Sequence, residues 1–300
     1  MNRPPNTLSV VTGDGLELTA EVWQAEAVAA GPVVLLHGLS QQRRFWGPVI
    51  NRLRSGPIAS LDQRGHGDSN TPVDADYSVA SCADDVIRLM DALGWERCAI
   101  AGHSWGGSVA LRAGARHGDR ISALALVDGG LWSPGALGDR ATTRQRLTPP
   151  PLGLPADDLW AMIRSGALRV NWSDELEQAL SPTFREDSDG LLHSRLGLER
   201  HLLVLDGLLD VDPREDLQAC AAAGVRVWAA VCEPVGAAAA AEGEWSDLKA
   251  SASAAAAALP NVLIHRWAGA IHDVPLQWPD LVAGFIDSAV ASAPVMGGRG

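Results

Sequence analysis

Cys98-Ala99-Ile100-Ala101-Gly102-His103-Ser104-Trp105-Gly106-Gly107-Ser108-Val109-Ala110 is the stretch on which the reading of this chain turns. An apolar run, a serine flanked by glycines and a small helix-compatible segment read as strand, sharp turn and helix, with Ser104 at the apex. A serine hydroxyl is a poor nucleophile unless it is exposed and has a base beside it. An elbow supplies the exposure. Gly102 and Gly106 keep side chains out of the place where the chain doubles back and the helix passes close to the strand.

Outward from the elbow, short apolar runs alternate with helical patterns. Leu8 to Val11 and Leu16 to Trp23, separated by Gly13-Asp14-Gly15, read as a leading hairpin. Val33 to Leu36 and Ile58 to Leu61 are all-apolar or nearly so, as expected of strands covered on both faces. Ser78 to Leu93 carries Val79, Cys82, Val86, Leu89, Met90 and Leu93 at helical spacing and stops at Gly94. After the elbow and its helix, Ile121 to Val127 is the sixth strand. Later come a helix around Pro213 to Ala223, a strand Val225 to Val231, a strand Asn261 to Trp267 and a closing helix Pro275 to Val290. This alternation predicts an α/β fold, a mostly parallel central sheet flanked by helices.

The alternation fails between residues 131 and 203, a stretch rich in proline with Trp132, Trp160, Trp172 and Phe184 in short amphipathic pieces. It is too long for a plain connection. It is read as a helical lid inserted in a core made of residues 1–130 and 204–300. The alanine-rich segment Val235 to Leu259 reads as helical by propensity, thinly packed and without functional content.

Composition narrows the partners. With 36 acidic against 24 basic residues and a formal charge of −12, no nucleic-acid partner is expected. No stretch reaches 18 uninterrupted apolar residues, so no membrane partner is expected either, and Met1 to Asn6 lacks the apolar core of a signal peptide. Cys82, Cys98, Cys220 and Cys232 are too scattered for a disulfide framework or a metal knuckle, which fits a reducing, cytoplasmic setting.

In a parallel sheet the loops at the carboxyl ends of strands carry the site. Here those loops hold His37-Gly38, Asp62 to Ser69, Ser104, Asp128, Glu233 and His272. Among the eight histidines, His272 stands alone in a loop between the last strand and the last helix and is the candidate base for Ser104. His117, His193, His201 and His265 are assigned surface or packing roles, and His103 is expected to point away from the nucleophile. The acid that orients His272 is assigned to Glu233, with Asp128 as second choice. Backbone amides of Leu39 and Trp105 are the candidate oxyanion donors, supported by His37 and Gly38.

This arrangement resembles the α/β-hydrolase superfamily over nearly the whole chain. His37-Gly38-Leu39 is similar to its oxyanion loop, Trp46 to an aromatic shortly after it, and Asp62-Gln63-Arg64-Gly65-His66-Gly67-Asp68-Ser69 to its D-x-R-G-x-G-x-S turn. Gly102 to Gly106 resembles its nucleophile elbow, Cys232-Glu233-Pro234 stands at its acid loop, and Ala270-Ile271-His272-Asp273 at its histidine loop. The chain has Ala230-Val231-Cys232-Glu233 where that acid loop usually reads glycine-x-x-aspartate. The resemblance implies acyl transfer through Ser104 with no cofactor and no metal. The expected substrate is a small or medium apolar ester, lactone or thioester. Trp132, Trp160, Met162, Trp172 and Phe184 of the lid are the candidate pocket lining. A C–C bond hydrolase, an amide hydrolase or a perhydrolase would use the same groups, and a non-catalytic receptor would keep the pocket alone.

Overall fold

A computed structural model describes residues 4–24, 31–150 and 152–292. The N-terminal residues 1–3 weighed above for a signal sequence lie outside that range. The core sheet is built from β1 (Asn6–Val11), β2 (Glu17–Trp23), β3 (Val33–Leu36), β4 (Ile58–Leu61), β5 (Cys98–His103), β6 (Ile121–Val127), and two later strands described below. Its helices begin with α1 (Gly47–Ile50), α2 (Val79–Ala92) and α3 (Trp105–Arg116). Every residue of β3, β4 and β5 is buried, because helices cover both faces. Helix α2 starts where the Ser78 hydroxyl accepts from the Ser81 amide, satisfying an N–H with no partner inside the helix.

The connection after β6 departs from a purely helical lid. It contains α4 (Arg140–Leu147), β7 (Leu154–Pro155), α5 (Ala156–Ser165), α6 (Asp174–Leu180), β8 (Phe184–Glu186), β9 (Leu191–Ser194) and α7 (Leu198–Leu209). The three strands form a small antiparallel sheet of order β7-β9-β8. Strands of two to four residues are too short to show alternation in sequence. Asp189-Gly190 was the available hairpin signal, and the Asp187 carboxylate accepts from the Asp189 and Leu191 amides to close that turn. Helix α7 also runs continuously across residue 203, so the expected boundary there is not a break in structure.

The chain returns to the sheet through α8 (Pro213–Ala222), β10 (Arg226–Glu233), α9 (Ala237–Glu242), α10 (Glu244–Ala256), β11 (Val262–Ala268), α11 (Val274–Gln277) and α12 (Pro279–Ala291). The expected single closing helix is two, divided at Trp278-Pro279, because proline cannot donate to a helix continuing through it. Strand order is β1-β2-β4-β3-β5-β6-β10-β11, parallel except for the antiparallel β1–β2 and β2–β4 pairs. One face packs on α2, α3 and α8 through residues such as Val86, Leu89, Val109 and Leu217. The other packs on α1 and α12 through Val49, Ile50, Phe285 and Ile286. Each fully buried aliphatic side chain contributes about 1.5–3 kcal/mol, so the two layers hold the strand ends in fixed register.

Candidate active site

Ser104 sits at the carboxyl end of β5 with φ +54 and ψ −120, a conformation that a non-glycine residue rarely adopts. Close approach explains the glycines around it. A β-carbon on Gly102 would lie 2.1 Å from the Gly106 carbonyl oxygen, and one on Gly106 would lie 2.4 Å from that of Leu36. Gly129, not singled out by sequence, is equally constrained: a β-carbon there would meet the Ser104 carbonyl oxygen at 2.1 Å. The elbow is therefore wedged between β3 and the end of β6.

His272 arrives in the loop between β11 and α11. Its Nε2 lies 2.9 Å from Ser104 Oγ, and its Nδ1 lies 2.6 Å from Asp128 Oδ2. An ionised carboxylate can only accept, so Nδ1–H donates to Asp128 and Nε2 is left to accept from the serine hydroxyl. Half of the imidazole surface faces open space, whereas the Asp128 side chain is 0% exposed. Burial draws the imidazole pKa down, but the hydrogen bond and charge of Asp128 outweigh it and the net shift is upward from 6.5. Burial pushes the Asp128 carboxyl up; the hydrogen bond from His272, its charge and that of Lys249 reverse this, and the net shift is downward.

The acid assigned first by sequence is corrected here. Strand β10 extends through Glu233, two residues further than expected, and Glu233 pairs in register with Ala268. Its carboxylate bonds Arg266 at 2.8 Å, and Arg266 in turn donates to Ser253 on α10. Both ends of that ion pair are about half exposed. Glu233 thus pairs with an arginine of β11 that also reaches α10. Asp128, at the end of β6 with φ +45, faces His272 instead.

The Leu39 and Trp105 residues both line the cavity beside Ser104, and neither amide has an acceptor among the described residues. The Trp105 amide is in the first turn of α3, where helix N–H groups are unpaired and the helix dipole favours negative charge. Gln41 shapes the facing loop: its side-chain oxygen accepts from the Gly38 amide at 2.9 Å and its amide group donates to Asp273 at 3.2 Å. His37 is buried, accepts from the Gln63 amide on Nε2 and donates from Nδ1 to the Gly38 carbonyl. Burial holds its pKa well below the ordinary value. His103 contacts the loop that carries the base. Its Nε2–H donates to the His272 carbonyl at 2.8 Å and its ring stacks on Phe45, so the elbow itself holds the base loop. Burial lowers the His103 pKa to about 3, which keeps the ring neutral.

The cavity over Ser104 has a volume of about 430 Å³. Trp132, Leu147, Leu205, Leu208, Trp245 and Lys249 are among its walls, so of the five aromatic and methionine residues expected there only Trp132 is present. Trp160 packs against Trp172 and Phe184 at ring separations of 6.2 and 5.8 Å, inside the connection itself. Trp172 also packs on a cluster of Phe45, Leu168, Leu176 and Leu276, while Met162 is 54% exposed. Short helices and a small sheet need apolar anchors of their own, and these residues serve that need. His201, expected in a surface or packing role, is buried in the cavity wall, where Ser40 Oγ lies 2.8 Å from Nδ1.

Among the described residues no cluster of His, Cys, Asp and Glu is arranged to hold a metal ion, and no helix is long and apolar enough to cross a membrane.

A strand-elbow-helix serine, an imidazole from beyond the last strand and a mostly parallel sheet together define an α/β-hydrolase architecture. The family description of the alpha/beta hydrolase fold matches residues 31–191, and the chain belongs to that family. Among similar proteins, one from Caulobacter sp. (strain K31), provisionally named carbamate hydrolase RutD, is 37% identical over 123 residues, 41% of this chain and 44% of that protein. The match thus spans less than half the length of that relative. The solved structure of E-2-(acetamidomethylene)succinate hydrolase superposes with a TM-score of 0.70 at 20% identity, covering 96% of this chain and all of that one. An esterase of Mycobacterium tuberculosis, Rv0045c, does so at 0.68 and 19%, covering 97% of this chain and 93% of that one. At such identities the likeness speaks to the fold alone.

Proposed function

We propose that this chain is a serine hydrolase that cleaves a small or medium apolar ester, lactone or thioester through an acyl-enzyme on Ser104. The observation that carries the reading is the unbroken line from Ser104 Oγ to His272 Nε2, at 2.9 Å, and from His272 Nδ1 to Asp128 Oδ2, at 2.6 Å. Oγ attacks the carbonyl carbon while its proton passes to Nε2. The oxyanion that forms is held by the Leu39 and Trp105 amides. Collapse expels the leaving group, which takes the proton from His272, and the acyl group stays on Oγ. Water then attacks the acyl-enzyme, again losing its proton to Nε2, and Ser104 leaves with that proton restored.

The cavity walls support the substrate class. Leu39, Trp132, Pro134, Leu147, Leu205, Leu208 and Trp245 leave an apolar cavity of about 430 Å³, which suits a short or medium acyl chain. A carbamate is the second reading, favoured by the name of the Caulobacter relative. The test is a fluorophosphonate probe followed by a panel of p-nitrophenyl esters and carbamates. Labelling at Ser104 that is lost in Ser104→Ala and strongly slowed in His272→Ala is the expected result. Binding of the probe without covalent labelling would instead identify a receptor built on the same fold.

A further inference from the structure

Helix α10 reaches the site that the sequence assigned to other elements. Trp245 and Lys249, one turn apart on it, both line the cavity over Ser104. Lys249 Nζ lies 3.0 Å from Asp128 Oδ2, the same oxygen that accepts from His272. Its side chain is only 7% exposed, and its ammonium sits 5.7 Å from the centre of the Trp132 ring, on the wall of the same cavity. A lysine is rarely buried unless it is paired, and here an anion and an aromatic face both receive it.

We propose that Lys249 is a positioning residue of the site, holding Asp128 ionised and in the plane that orients His272. The inference rests on the acyl-transfer reading above. Asp128 comes off β6, one strand away from the end of β10 where the sequence resemblance put the acid. There its Oδ1 accepts from the Cys232 amide at 3.0 Å, while Oδ2 accepts from both Lys249 and His272. A carboxylate with no exposure to solvent depends on such donors, because no bulk water replaces one that is lost. With Lys249 gone, Cys232 and the base itself are the named donors that remain, and Oδ2 keeps only the base of its two named partners. Its hold on the imidazole then loosens, and the step that suffers is proton transfer from Ser104, not substrate capture. A cation whose charge is met by Asp128 is also poorly suited to anchor an anionic substrate, so the effect belongs in kcat.

Two variants separate this role from simple packing. Lys249→Met keeps the length and apolar stem but removes the ammonium. Lys249→Ala removes the side chain beyond Cβ, and n-propylammonium replaces the deleted atoms. With a neutral p-nitrophenyl ester, Lys249→Met is expected to lower kcat by about 10- to 100-fold with KM within threefold, and to slow phosphonylation of Ser104 in parallel. Added n-propylammonium is expected to restore Lys249→Ala several-fold, which a packing role would not produce. In an Asp128→Asn background Lys249→Met should cost less than threefold further. A kcat and labelling rate within twofold of the parent in Lys249→Met overturns the inference while leaving the acyl-transfer reading intact. A rise in KM confined to an anionic ester such as a hemisuccinate, with kcat unchanged, overturns it in favour of a substrate anchor. Failure of the parent protein to be labelled at Ser104 overturns both.

Discussion

The aromatic residues in the middle of the connection after β6 and the alanine-rich helix α10 exchange the roles their sequences advertise. The connection is rich in aromatic residues, and these looked like the walls of a pocket. Trp160 instead packs on Trp172 and Phe184, and Trp172 also on Phe45 and Leu276, so they build the connection rather than line the cavity. Helix α10, in contrast, is low in complexity and looked idle, yet it delivers Trp245 to the cavity and Lys249 to Asp128. The lesson concerns area and distance. Large side chains in a small insertion are consumed by the insertion's own core, whereas a helix of small residues can lie close to the sheet edge and extend its two long side chains inward.

The contrast fails outright if Asp128 is not the acid, since the proposed role of Lys249 acts through that carboxylate. Asp128→Asn is expected to lower kcat/KM of ester hydrolysis by about 10³- to 10⁴-fold, by loss of the tautomer that lets Nε2 accept a proton. Glu233→Gln should cost less than about threefold, because its ion pair with Arg266 is about half exposed at the surface. The reverse ranking of these two variants would return the acid to the end of β10.

A smaller effect is read in the pH profile. The His272 pKa is raised from 6.5 chiefly against the pull of burial by the hydrogen bond and charge of Asp128. A raised pKa means the neutral base is lost earlier on acidification, so kcat/KM should fall about tenfold per pH unit below an apparent pKa above 6.5. An acid limb with an apparent pKa below 6.5 would mean that the carboxylate does not act on this imidazole in solution.

Side chains on the two regions give the finest comparison. Trp245→Ala enlarges the cavity and is expected to shift preference toward longer acyl chains, changing relative kcat/KM across a chain-length series by about 5- to 20-fold. Trp160→Ala should leave that series within about twofold and lower stability by about 1–3 kcal/mol, visible as a lower denaturant midpoint, because the ring is partly buried among aromatics. If Trp160→Ala moved the acyl preference and Trp245→Ala did not, the assignment of the two regions would have to be exchanged again.

Much of the site was legible in advance for local reasons. The serine elbow is written in glycines that no β-carbon can replace, and the mostly parallel sheet follows from apolar runs of four to seven residues separated by helical periods. His272 was legible because it alone stood in the loop after the last strand. Glu233 misled because the chain shows only that a carboxylate follows an apolar run. It does not show that β10 continues through that residue and turns it toward Arg266. Gly129 and Gln41 carried no motif of their own; each matters through a partner elsewhere in the chain.

The amino-acid order by itself thus made legible the parallel sheet and the serine elbow, which depend on sterics and periodicity within a few residues, and the loop position of His272. Which carboxylate meets the imidazole was decided only by the pairing of β6 with β10 and the docking of α10. Those contacts join residues 144 and 121 positions apart, between Asp128 and His272 and between Asp128 and Lys249. Hydrogen bonds of this kind form or fail over fractions of an ångström, a precision that comes from the packed layers on both faces of the sheet and leaves no trace in local pattern.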